Sequence, residues 1–302
     1  MKKVLVTGAL GHIGSKLIRE IEAEEIILVD NLVTQRYASL FNLPTDKKYQ
    51  FIQGDILDTA LPLDGVEAVI HLAAITDATY STKEPEEVER VNLDGLKKVA
   101  DQCLEKNVKL IFPSTTSVYG SKESIVDETS EVNSQSPYAQ SKIDAEKYLA
   151  ELKIKGLKYV ICRFGTIFGW SVGMRFHTAV NKFTWQAVNS QPVTVWQTAM
   201  DQKRPYLDLA DCVKAINLIL NKDIFDEEIY NVVTANLAVK DIIETIKKFI
   251  PDLEVKMVES EIMNQLSYDV KIDKIAQKGF TAQGDLEEGI ATTINNLKGI
   301  QK

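Results

Sequence analysis

The sequence predicts an α/β protein with a doubly wound parallel sheet and a smaller C-terminal α/β lobe. Two observations lead to this fold class. Short apolar runs alternate with segments of helical periodicity through the first part of the chain, which is typical of successive βαβ units. A glycine-rich turn follows the first apolar run directly, at the point where a strand leads into a helix.

The strands and helices of the sheet are predicted in order along the chain. Apolar runs of strand length predict strands at residues 3–7, 25–30, 49–53, 68–72, 108–112 and 158–163. Apolar positions at helical spacing predict helices at residues 12–23, 86–106 and 137–155. Pro137 lies in the first turn of the last helix, where a missing N–H group breaks no intrahelical hydrogen bond.

The alternation stops after Gly165 and returns later. Glycine and aromatic residues interrupt it first, and a helix at 208–221 and a strand at 229–233 then follow. Helices at 239–249 and 285–297 flank a strand-like run at 253–258. We therefore expect one domain from residues 1–164, with contributions from about 204–234, and a smaller lobe from residues 165–203 and 235–302.

Composition and charge exclude several classes of protein. A chain of 302 residues with 45% hydrophobic and 26% charged residues is typical of globular proteins and excludes intrinsic disorder. The net charge of -8 has the wrong sign for nonspecific binding to nucleic acid, and no apolar run is long enough to span a membrane. Cys103, Cys162 and Cys212 lack metal-ligand spacing, so we expect buried reduced thiols and no metal site. Since no signal-peptide core follows Met1, we expect a cytoplasmic protein.

A glycine-rich turn and an acidic residue predict a dinucleotide site. The segment VLVTGALGHIGS, residues 4–15, places Gly8, Gly11 and Gly14 where the backbone can approach a pyrophosphate and a helix N-terminus offers N–H donors. Asp30 ends the second strand, where a carboxylate can accept hydrogen bonds from the adenosine ribose. That carboxylate would repel a 2′-phosphate, and Arg36 follows only six residues later, so NAD is favoured over NADP. The alternative is a tight turn required for packing alone.

Tyr138 and Lys142 in SPYAQSK are the strongest chemical signal in the sequence. Four residues apart on a helix, the phenol and the ammonium share one face, so the cation can stabilise the phenolate and lower the pKa of the tyrosine. Hydroxyl side chains from Ser114 to Ser117 follow the fifth strand, at the sheet edge where ligands bind. The alternatives are a solvated helix face and a capped turn.

Two further polar residues are ambiguous. Asp55 follows the third strand and either contacts adenine or caps a turn. His71 ends the fourth strand, but a histidine among apolar residues is more often structural, so we assign it no catalytic role.

Together, these motifs resemble the extended short-chain dehydrogenase/reductases. TGALGHIGS, LVDN, GDI, HLAA, VNLDG, STTSVYG and YAQSK occur in the order of that family. The chain looks like a nucleotide-sugar epimerase/dehydratase of the UDP-galactose 4-epimerase type, and RPYLDLADCVKAI, residues 204–216, is similar to a later family segment. The resemblance implies a Rossmann-type NAD-binding domain and a substrate-binding C-terminal lobe.

The resemblance also implies roles for individual residues. The catalytic residues would be Thr115, Tyr138 and Lys142, with Tyr138 as the general base. The cofactor-binding residues would be Gly8, Gly11, His12, Ile13, Gly14, Asp30, Asn31, Asp55, Ile56, Leu72, Ala73, Ala74, Asn92, Tyr138 and Lys142. The substrate-binding residues would be Thr115, Thr166, Arg175, Asn181 and Arg204. Asn92 would also orient the active-site helix.

The sequence departs from the family pattern at three places. RFGTIFG has Thr166 where relatives often have an asparagine that contacts the sugar nucleotide, and Asn181 is a candidate to compensate. Thr116 and Ser117 stand where 4,6-dehydratases carry Asp and Glu, which disfavours dehydration. Residues 264–268, NQLSY, lack the arginine that some relatives present to the diphosphate, so Arg175 is a candidate for that contact.

We therefore expect NAD-dependent epimerisation of a nucleotide sugar, at C4, through a transient keto-sugar. One alternative is an NAD(P)-dependent keto-sugar reductase or dehydrogenase that uses the same residues. Another is a noncatalytic dinucleotide-sensing protein, because a fold alone does not establish activity. The resemblance also implies a homodimer formed through the helices predicted at residues 86–106 and 137–155.

Overall fold

The computed structural model describes residues 1–120, 123–259 and 267–298. The strands are β1 (Lys3–Thr7), β2 (Glu25–Asp30), β3 (Lys48–Gln53), β4 (Ala68–His71), β5 (Lys109–Thr115), β6 (Ile125–Val126), β7 (Tyr159–Phe164), β8 (Thr166–Phe168), β9 (Val193–Trp196), β10 (Lys203–Asp208), β11 (Ile229–Val232), β12 (Ala235–Ala238), β13 (Val255–Val258) and β14 (Asp269–Val270). The α-helices are α1 (His12–Glu20), α2 (Ala78–Lys83), α3 (Pro85–Glu89), α4 (Gly95–Lys106), α5 (Pro137–Ile154), α6 (Ala179–Val188), α7 (Leu209–Asn221), α8 (Val239–Phe249), α9 (Asp273–Gln277) and α10 (Leu286–Leu297).

Seven strands form the central sheet, in the order β11-β7-β5-β4-β1-β2-β3, and every neighbouring pair is parallel. From β1 the chain adds β2 and β3 on one side, then returns to add β4, β5, β7 and β11 on the other. This reversal leaves a crevice beyond the carboxyl ends of β1 and β4, where ligands of doubly wound sheets bind. The predicted fold class is confirmed.

Side chains of each strand alternate between two apolar cores, one on each face of the sheet. In β1, Val4 and Val6 pack in the core that contains α1 and α7, whereas Leu5 packs in the core that contains α4 and α5. Since helices cover both faces of a parallel sheet, its strands are apolar on both sides. This arrangement explains why the strands of the sheet are recognisable as continuous apolar runs.

A third core lies in the second lobe, among α6, α8, α10 and the short strands β8, β9 and β10. Strands β8, β10 and β12 form one small sheet, and β9 pairs with β13. The sequence predicts α8, α10 and β13 here, but it does not predict α6, α9 or the other short strands. These strands are brief, and their partners are distant in sequence, so hydrophobic periodicity gives little signal for them.

The helix predicted at residues 86–106 is divided into three pieces. Helix α3 ends at Glu89, a π-helical turn spans Arg90–Asp94, and α4 begins at Gly95. A π-helical turn widens the helix locally and changes which side chains face inward. At Gly95 the helix packs closely, because an added Cβ atom would lie 2.5 Å from Ile56 Cδ1.

The three cysteines are buried free thiols, as predicted. Burial raises the pKa of both Cys103 and Cys162 to about 12. Within the described ranges, none of the helices is long and apolar enough to cross a membrane. The same residues contain no group of three or more His, Cys, Asp or Glu side chains that could hold a metal ion.

Candidate active site

The glycine-rich turn lies in the crevice between β1 and β4. Gly8 has a φ of 63°, and a Cβ atom there would lie 2.6 Å from Ala73 N, in the segment that follows β4. A Cβ atom on Gly14 would lie 2.5 Å from the carbonyl oxygens of Gly8 and Ala9. Both positions therefore require glycine, since any side chain would push apart backbone segments that are in contact.

Helix α1 begins directly after this turn, with Gly11 as its N-cap. Because glycine has no side chain to cap the helix, the N–H groups of the first turn stay available to a ligand. His12 is buried at this end, with Nε2 2.8 Å from Gly169 O, and burial lowers its pKa to about 3. The histidine is therefore neutral, and the partial positive charge of the helix N-terminus is what favours an anion.

Asp30 and Asn31 lie at the other end of the crevice, where β2 ends. The Asp30 carboxylate accepts hydrogen bonds from Leu10 N at 3.0 Å and from Leu32 N at 2.9 Å, which fix its orientation. Asn31 Nδ2 donates a hydrogen bond to Asp55 Oδ2 at 2.9 Å. Three residues predicted to contact adenosine are thus brought together.

A cleft of about 330 Å³ joins the glycine turn to these acidic residues. The predicted cofactor residues that line it are Gly8, Gly11, His12, Ile13, Gly14, Asp30, Asn31, Asp55, Ile56, Leu72, Ala73 and Ala74. Lining residues that the sequence analysis did not assign include Val33, Thr34, Arg36, Thr76, Glu87 and Arg90. A backbone turn that excludes side chains, an uncapped helix start and an oriented carboxylate fit the pyrophosphate and adenosine of NAD.

Arg36 is the lining residue that the sequence pattern came closest to identifying. It follows Asp30 in the loop after β2, and the two side chains are near enough for the carboxylate to raise the pKa of the guanidinium, although burial lowers that pKa overall. Arg36 is six residues from Asp30 in the sequence, and the sequence pattern does not show that both residues line the same cleft.

His71 has structural contacts within the described residues. It is 2% exposed, its Nδ1 is 2.8 Å from Thr7 Oγ1, and its ring stacks on Phe112. Burial lowers its pKa to about 3. A neutral, enclosed imidazole with these contacts is consistent with the structural role expected from the sequence.

Asn92 lies in the π-helical turn and links the segment after β4 to α5. Its side chain accepts a hydrogen bond from Ile75 N at 2.8 Å and donates one to Ile75 O at 2.9 Å, and its Nδ2 is 3.2 Å from Ser141 Oγ. Ser141 lies on α5 between Tyr138 and Lys142. The amide therefore holds the helix that carries both candidate catalytic residues.

Tyr138 and Thr115 meet at the carboxyl edge of the sheet. Tyr138 lies in the first turn of α5, and Thr115 is the last residue of β5. Burial raises the pKa of Tyr138, whereas the charge of Arg175 and a hydrogen bond with the Thr115 side chain lower it. Thr115 Oγ1 also accepts a hydrogen bond from Ser117 N at 3.1 Å, which orients the hydroxyl.

Lys142 is buried one turn after Tyr138, but its ammonium has different neighbours. Its Nζ donates a hydrogen bond to Pro113 O at 2.8 Å and lies 4.5 Å from the centre of the Phe112 ring. Burial lowers the pKa of Lys142 to about 8, although the charge of Glu146 raises it. The sequence predicts that Lys142 lowers the pKa of Tyr138. In the structure burial raises that pKa, and Arg175 is the cation that lowers it.

Arg175 extends from the segment before α6 into the cleft. Its Nη1 donates a hydrogen bond to Thr76 Oγ1, and its Nε is buried with no hydrogen-bond partner among the described residues. Asn181, by contrast, is 1% exposed, and its amide bonds to backbone: Gly169 N donates to its Oδ1, and its Nδ2 donates to Arg175 O. The Asn181 amide therefore supports the 169–175 segment, and its role toward a substrate stays a prediction.

Thr166 and Arg204 lie on adjacent strands of the small sheet, β8 and β10. The Arg204 guanidinium lies 5.5 Å from the centre of the Tyr268 ring, and the Tyr268 hydroxyl donates to Thr116 O at 3.1 Å. These contacts connect Arg204 to the residue that follows Thr115. Of the NQLSY segment, residues 264–266 lie outside the described residues.

Curated proteins with similar sequences include epimerases and dehydratases. An uncharacterized UDP-glucose epimerase from Bacillus subtilis is 32% identical over 73% of this chain and 73% of its own length. A dTDP-D-glucose 4,6-dehydratase from Mus musculus is 31% identical over 97% of this chain and 88% of its own length.

Solved structures with similar folds include nucleotide-sugar 4-epimerases. A UDP-glucuronic acid 4-epimerase from Bacillus cereus, in complex with UDP-glucuronic acid and NAD, has a TM-score of 0.89 and 25% identity, covering 98% of this chain and 99% of that one. A UDP-N-acetylglucosamine 4-epimerase from Methanobrevibacter ruminantium has a TM-score of 0.88 and 26% identity, covering 97% of both chains.

A family model also matches most of the sequence that forms the sheet and the glycine-rich turn. Described as the NAD dependent epimerase/dehydratase family, it matches residues 4–232, which include the glycine turn, Thr115, Tyr138 and Lys142. The chain therefore belongs to the NAD-dependent epimerase/dehydratase family.

Proposed function

We propose that this protein catalyses the NAD-dependent epimerisation of a nucleotide sugar at C4. The observation that carries the proposal is the placement of Tyr138, at the start of α5, next to Thr115, at the end of β5, with Arg175 of the dinucleotide cleft beside them. A phenol and a hydroxyl placed together can act on the same substrate oxygen. The two 4-epimerases of similar fold support a nucleotide sugar as the substrate class.

Tyr138 acts as the general base in this proposal. Its phenolate removes the proton from the sugar hydroxyl, while Thr115 donates a hydrogen bond to the same oxygen and stabilises the charge that develops there. NAD, when bound, would supply a reversible acceptor for the hydride on the carbon that bears this hydroxyl. After the keto-sugar turns in the site, Tyr138 returns its proton to the oxygen of the epimer.

The two cations near Tyr138, Arg175 and Lys142, have separate roles. Arg175 lowers the pKa of the phenol and so favours the form that accepts a proton. Lys142, four residues further along α5, is the candidate donor to the nicotinamide ribose. Arg175 and Arg204 are also the candidate contacts for the substrate diphosphate, which an acidic protein must bind through local donors.

The surroundings of Thr115 favour epimerisation over 4,6-dehydration. Expulsion of a hydroxyl requires an acid near the sugar. Here Thr116 is 3% exposed and its Oγ1 donates to Phe164 O at 3.3 Å, and Ser117 is exposed. Among the described residues, the charged group that acts on Tyr138 is an arginine and not a carboxylate.

Product analysis with a panel of nucleotide sugars tests the proposal. The purified protein is incubated with each sugar without added nicotinamide cofactor, and the products are separated by mass-resolved chromatography. We expect an isomer of unchanged mass. A product lighter by one water would support dehydration instead, and turnover only with stoichiometric NAD or NADH would support a net oxidoreductase.

We also infer a homodimer formed through α4 and α5. The outward side chains of these helices, and of Asp94 directly before α4, carry charges of both signs: Asp94, Lys97, Lys98, Asp101, Glu105, Asp144, Lys147 and Glu151. A two-fold interface brings identical surfaces together, so a surface of mixed charge can complement its own copy.

A further inference from the structure

A buried ion pair connects α5, the helix that carries Tyr138, to β7 of the central sheet. Glu146 on α5 is 7% exposed, and Arg163 on β7 is 3% exposed. Arg163 Nη2 lies 2.7 Å from Glu146 Oε2, and Arg163 Nε donates to Glu146 Oε1 at 3.1 Å. The two groups therefore form a two-point contact between the active-site helix and the central sheet.

The Glu146 carboxylate also holds the strand that carries Thr115. Ser114 Oγ donates a hydrogen bond to Glu146 Oε1 at 2.5 Å. Ser114 precedes Thr115 at the end of β5 and is paired with Arg163 in the parallel ladder between β5 and β7. One carboxylate thus fixes the end of β5 relative to α5, which are the two elements that bring Thr115 and Tyr138 together.

Glu146 is also the anionic neighbour of Lys142. The charged and titratable groups that act on the Lys142 environment are Glu146 on the same helix and His71 on β4. His71 is neutral because burial lowers its pKa to about 3, so it supplies no counter-charge. The other contacts of the ammonium are the Phe112 ring and Pro113 O. Lys142 and Glu146 are both buried one turn apart on α5, and they bond to consecutive residues of β5, Pro113 and Ser114. The Glu146 carboxylate, which also pairs with Arg163, therefore contributes to compensating this buried cation.

Arg163 also has contacts on the side that faces away from Glu146. The Arg163 guanidinium lies 4.9 Å from the centre of the Tyr119 ring, and the Tyr119 hydroxyl donates to Asn231 Oδ1 at 2.6 Å. Asn231 lies on β11 and donates through its backbone N to Glu128 Oε1 at 2.7 Å. These contacts fix Arg163 and so give Glu146 a rigid partner.

We propose that Glu146 is a positioning residue of the active site, which aligns Thr115 through Ser114 and compensates the charge of the buried Lys142 ammonium. A role in stability alone does not explain these contacts, since an apolar pair of similar volume is often as stable as a buried ion pair. The proposal rests on the proposed function of Thr115, Tyr138 and Lys142.

Three variants test the proposal. Glu146→Gln removes the charge, and the double variant Glu146→Met with Arg163→Met replaces the pair by apolar side chains that leave no unpaired buried ion. Asp144→Asn is the matched control, because Asp144 lies on the same helix in an exposed ion pair with Lys147 at 3.1 Å. Each variant is measured for unfolding midpoint, NAD affinity and the pH profile of kcat.

We expect the double variant to fold and bind NAD like the wild type while its kcat falls about tenfold or more, because small displacements of reacting groups are costly. Removing the carboxylate alone lowers the pKa of Lys142, so in Glu146→Gln the alkaline limb of the kcat profile should move to lower pH by about one unit. Asp144→Asn should match the wild type. A folded double variant with unchanged kcat would overturn the proposal.

A measurement without turnover separates this inference from the proposed function. The protonation of Lys142 is followed by NMR of the lysine-labelled protein as the pH is raised, and Lys142→Met identifies its signal. In Glu146→Gln the midpoint should fall by about one pH unit. An unchanged midpoint overturns the inference whatever reaction the protein catalyses, whereas a wild type that converts no nucleotide sugar overturns only the proposed function.

Discussion

Tyr138 is the residue whose loss should affect the proposed reaction most directly. Tyr138→Phe removes the hydroxyl that exchanges the proton but keeps the ring, so the fold and the NAD affinity should be preserved. We expect kcat to fall by about 10²- to 10⁴-fold, the usual contribution of general acid–base catalysis. Steady-state assays with the converted sugar, together with NAD titration, provide the measurement.

Tyr148 offers a matched control for that experiment. It lies on the same helix, and its hydroxyl donates to Asp101 Oδ1 at 2.6 Å on the outer surface. Tyr148→Phe should leave kcat within about twofold of the wild type, since surface changes away from the site have small effects. If Tyr138→Phe also retained near-normal turnover, the assignment of the base would be wrong.

Arg175 should control the pH at which Tyr138 becomes active. Its positive charge lowers the pKa of the phenol, so Arg175→Gln should raise that pKa. The acidic limb of the kcat profile should therefore move to higher pH by about one unit. Lys182→Gln, which removes an exposed cation from α6 in the same lobe, should leave the profile unchanged. A profile that does not move in Arg175→Gln would show that another group sets the charge of Tyr138.

The difference between Lys142 and Arg175 shows where residue patterns stop being informative. The four-residue spacing places Lys142 and Tyr138 on one face of α5, and both are indeed on that helix. The spacing gives no information about Pro113 O and the Phe112 ring, which lie on β5 and contact the ammonium. Arg175 reaches Tyr138 from a distant segment, and only the folded chain brings these two residues together.

In the glycine-rich turn, the effect of the positive φ angle and the effect of close packing can be tested separately with alanine substitutions. Gly8 and Gly65 both have positive φ, but a Cβ atom at Gly8 would meet Ala73 N at 2.6 Å, whereas one at Gly65 would have no atom within 4 Å. Gly65→Ala should lower the free energy of unfolding by about 1 kcal/mol and leave NAD affinity unchanged.

Gly8→Ala carries the same backbone cost and must also displace the segment after β4. We expect a loss of about 2 kcal/mol or more in the free energy of unfolding and at least about a tenfold loss in NAD affinity. Chemical denaturation and calorimetric NAD titration measure the two effects. Equal behaviour of the two alanine variants would mean that the turn has no special contact with the ligand.

The start of α7 predicts how stability depends on pH. Asp208 caps this helix by accepting a hydrogen bond from Ala210 N at 2.7 Å, and it is 8% exposed. Burial, together with the nearby Asp211 and Glu288 charges, raises its pKa to about 6. Since the folded-state pKa is higher than the unfolded value, ionisation of Asp208 destabilises the protein progressively as the pH rises from about 4 to about 6.

Asp208→Asn should therefore stabilise the protein at neutral pH. The amide keeps an oxygen for the helix cap and removes the charge, so the free energy of unfolding should rise by about 1–3 kcal/mol at pH 7 to 8, and the gain should disappear near pH 4. Asp285→Asn is the control, because Asp285 caps α10 but is exposed. A gain that persists at pH 4 would contradict the assignment of the effect to the Asp208 charge.

At the scale of elements, the sequence predicts the central sheet well and the second lobe poorly. Strands such as β1 and β7 are buried on both faces, so their apolar runs are unambiguous. Strands β8 and β14 have only three and two residues, and their pairing is decided by distant parts of the chain. The π-helical turn leaves helical periodicity nearly intact, which is why residues 86–106 read as one helix. The contact of Asn92 with α5 was expected from the family resemblance and not from periodicity.

At the scale of the whole molecule, the surface of α4 and α5 would determine the kind of homodimer that we infer. A stable, obligate dimer buries an apolar interface. Here Tyr148 is a half-buried aromatic residue, and its hydroxyl is occupied by Asp101. Most of its outward neighbours are charged, with Asp144 paired to Lys147 and Asp94 paired to Lys97 within the same subunit. We therefore expect a dimer of modest affinity in which charge complementarity contributes strongly.

Salt should then separate the subunits. The screening length falls from about 10 Å at 0.1 M salt to about 3 Å at 1 M, so attraction between charges on two subunits weakens while apolar contacts persist. By light scattering we expect a dimer at low salt that shifts toward the 33.8 kDa monomer at high salt. Lys147→Glu, which changes the charge balance of this surface, should produce monomer at low salt, whereas Lys182→Glu on α6 should not. A dimer mass that is independent of salt and unaffected by Lys147→Glu would place the interface elsewhere on the molecule.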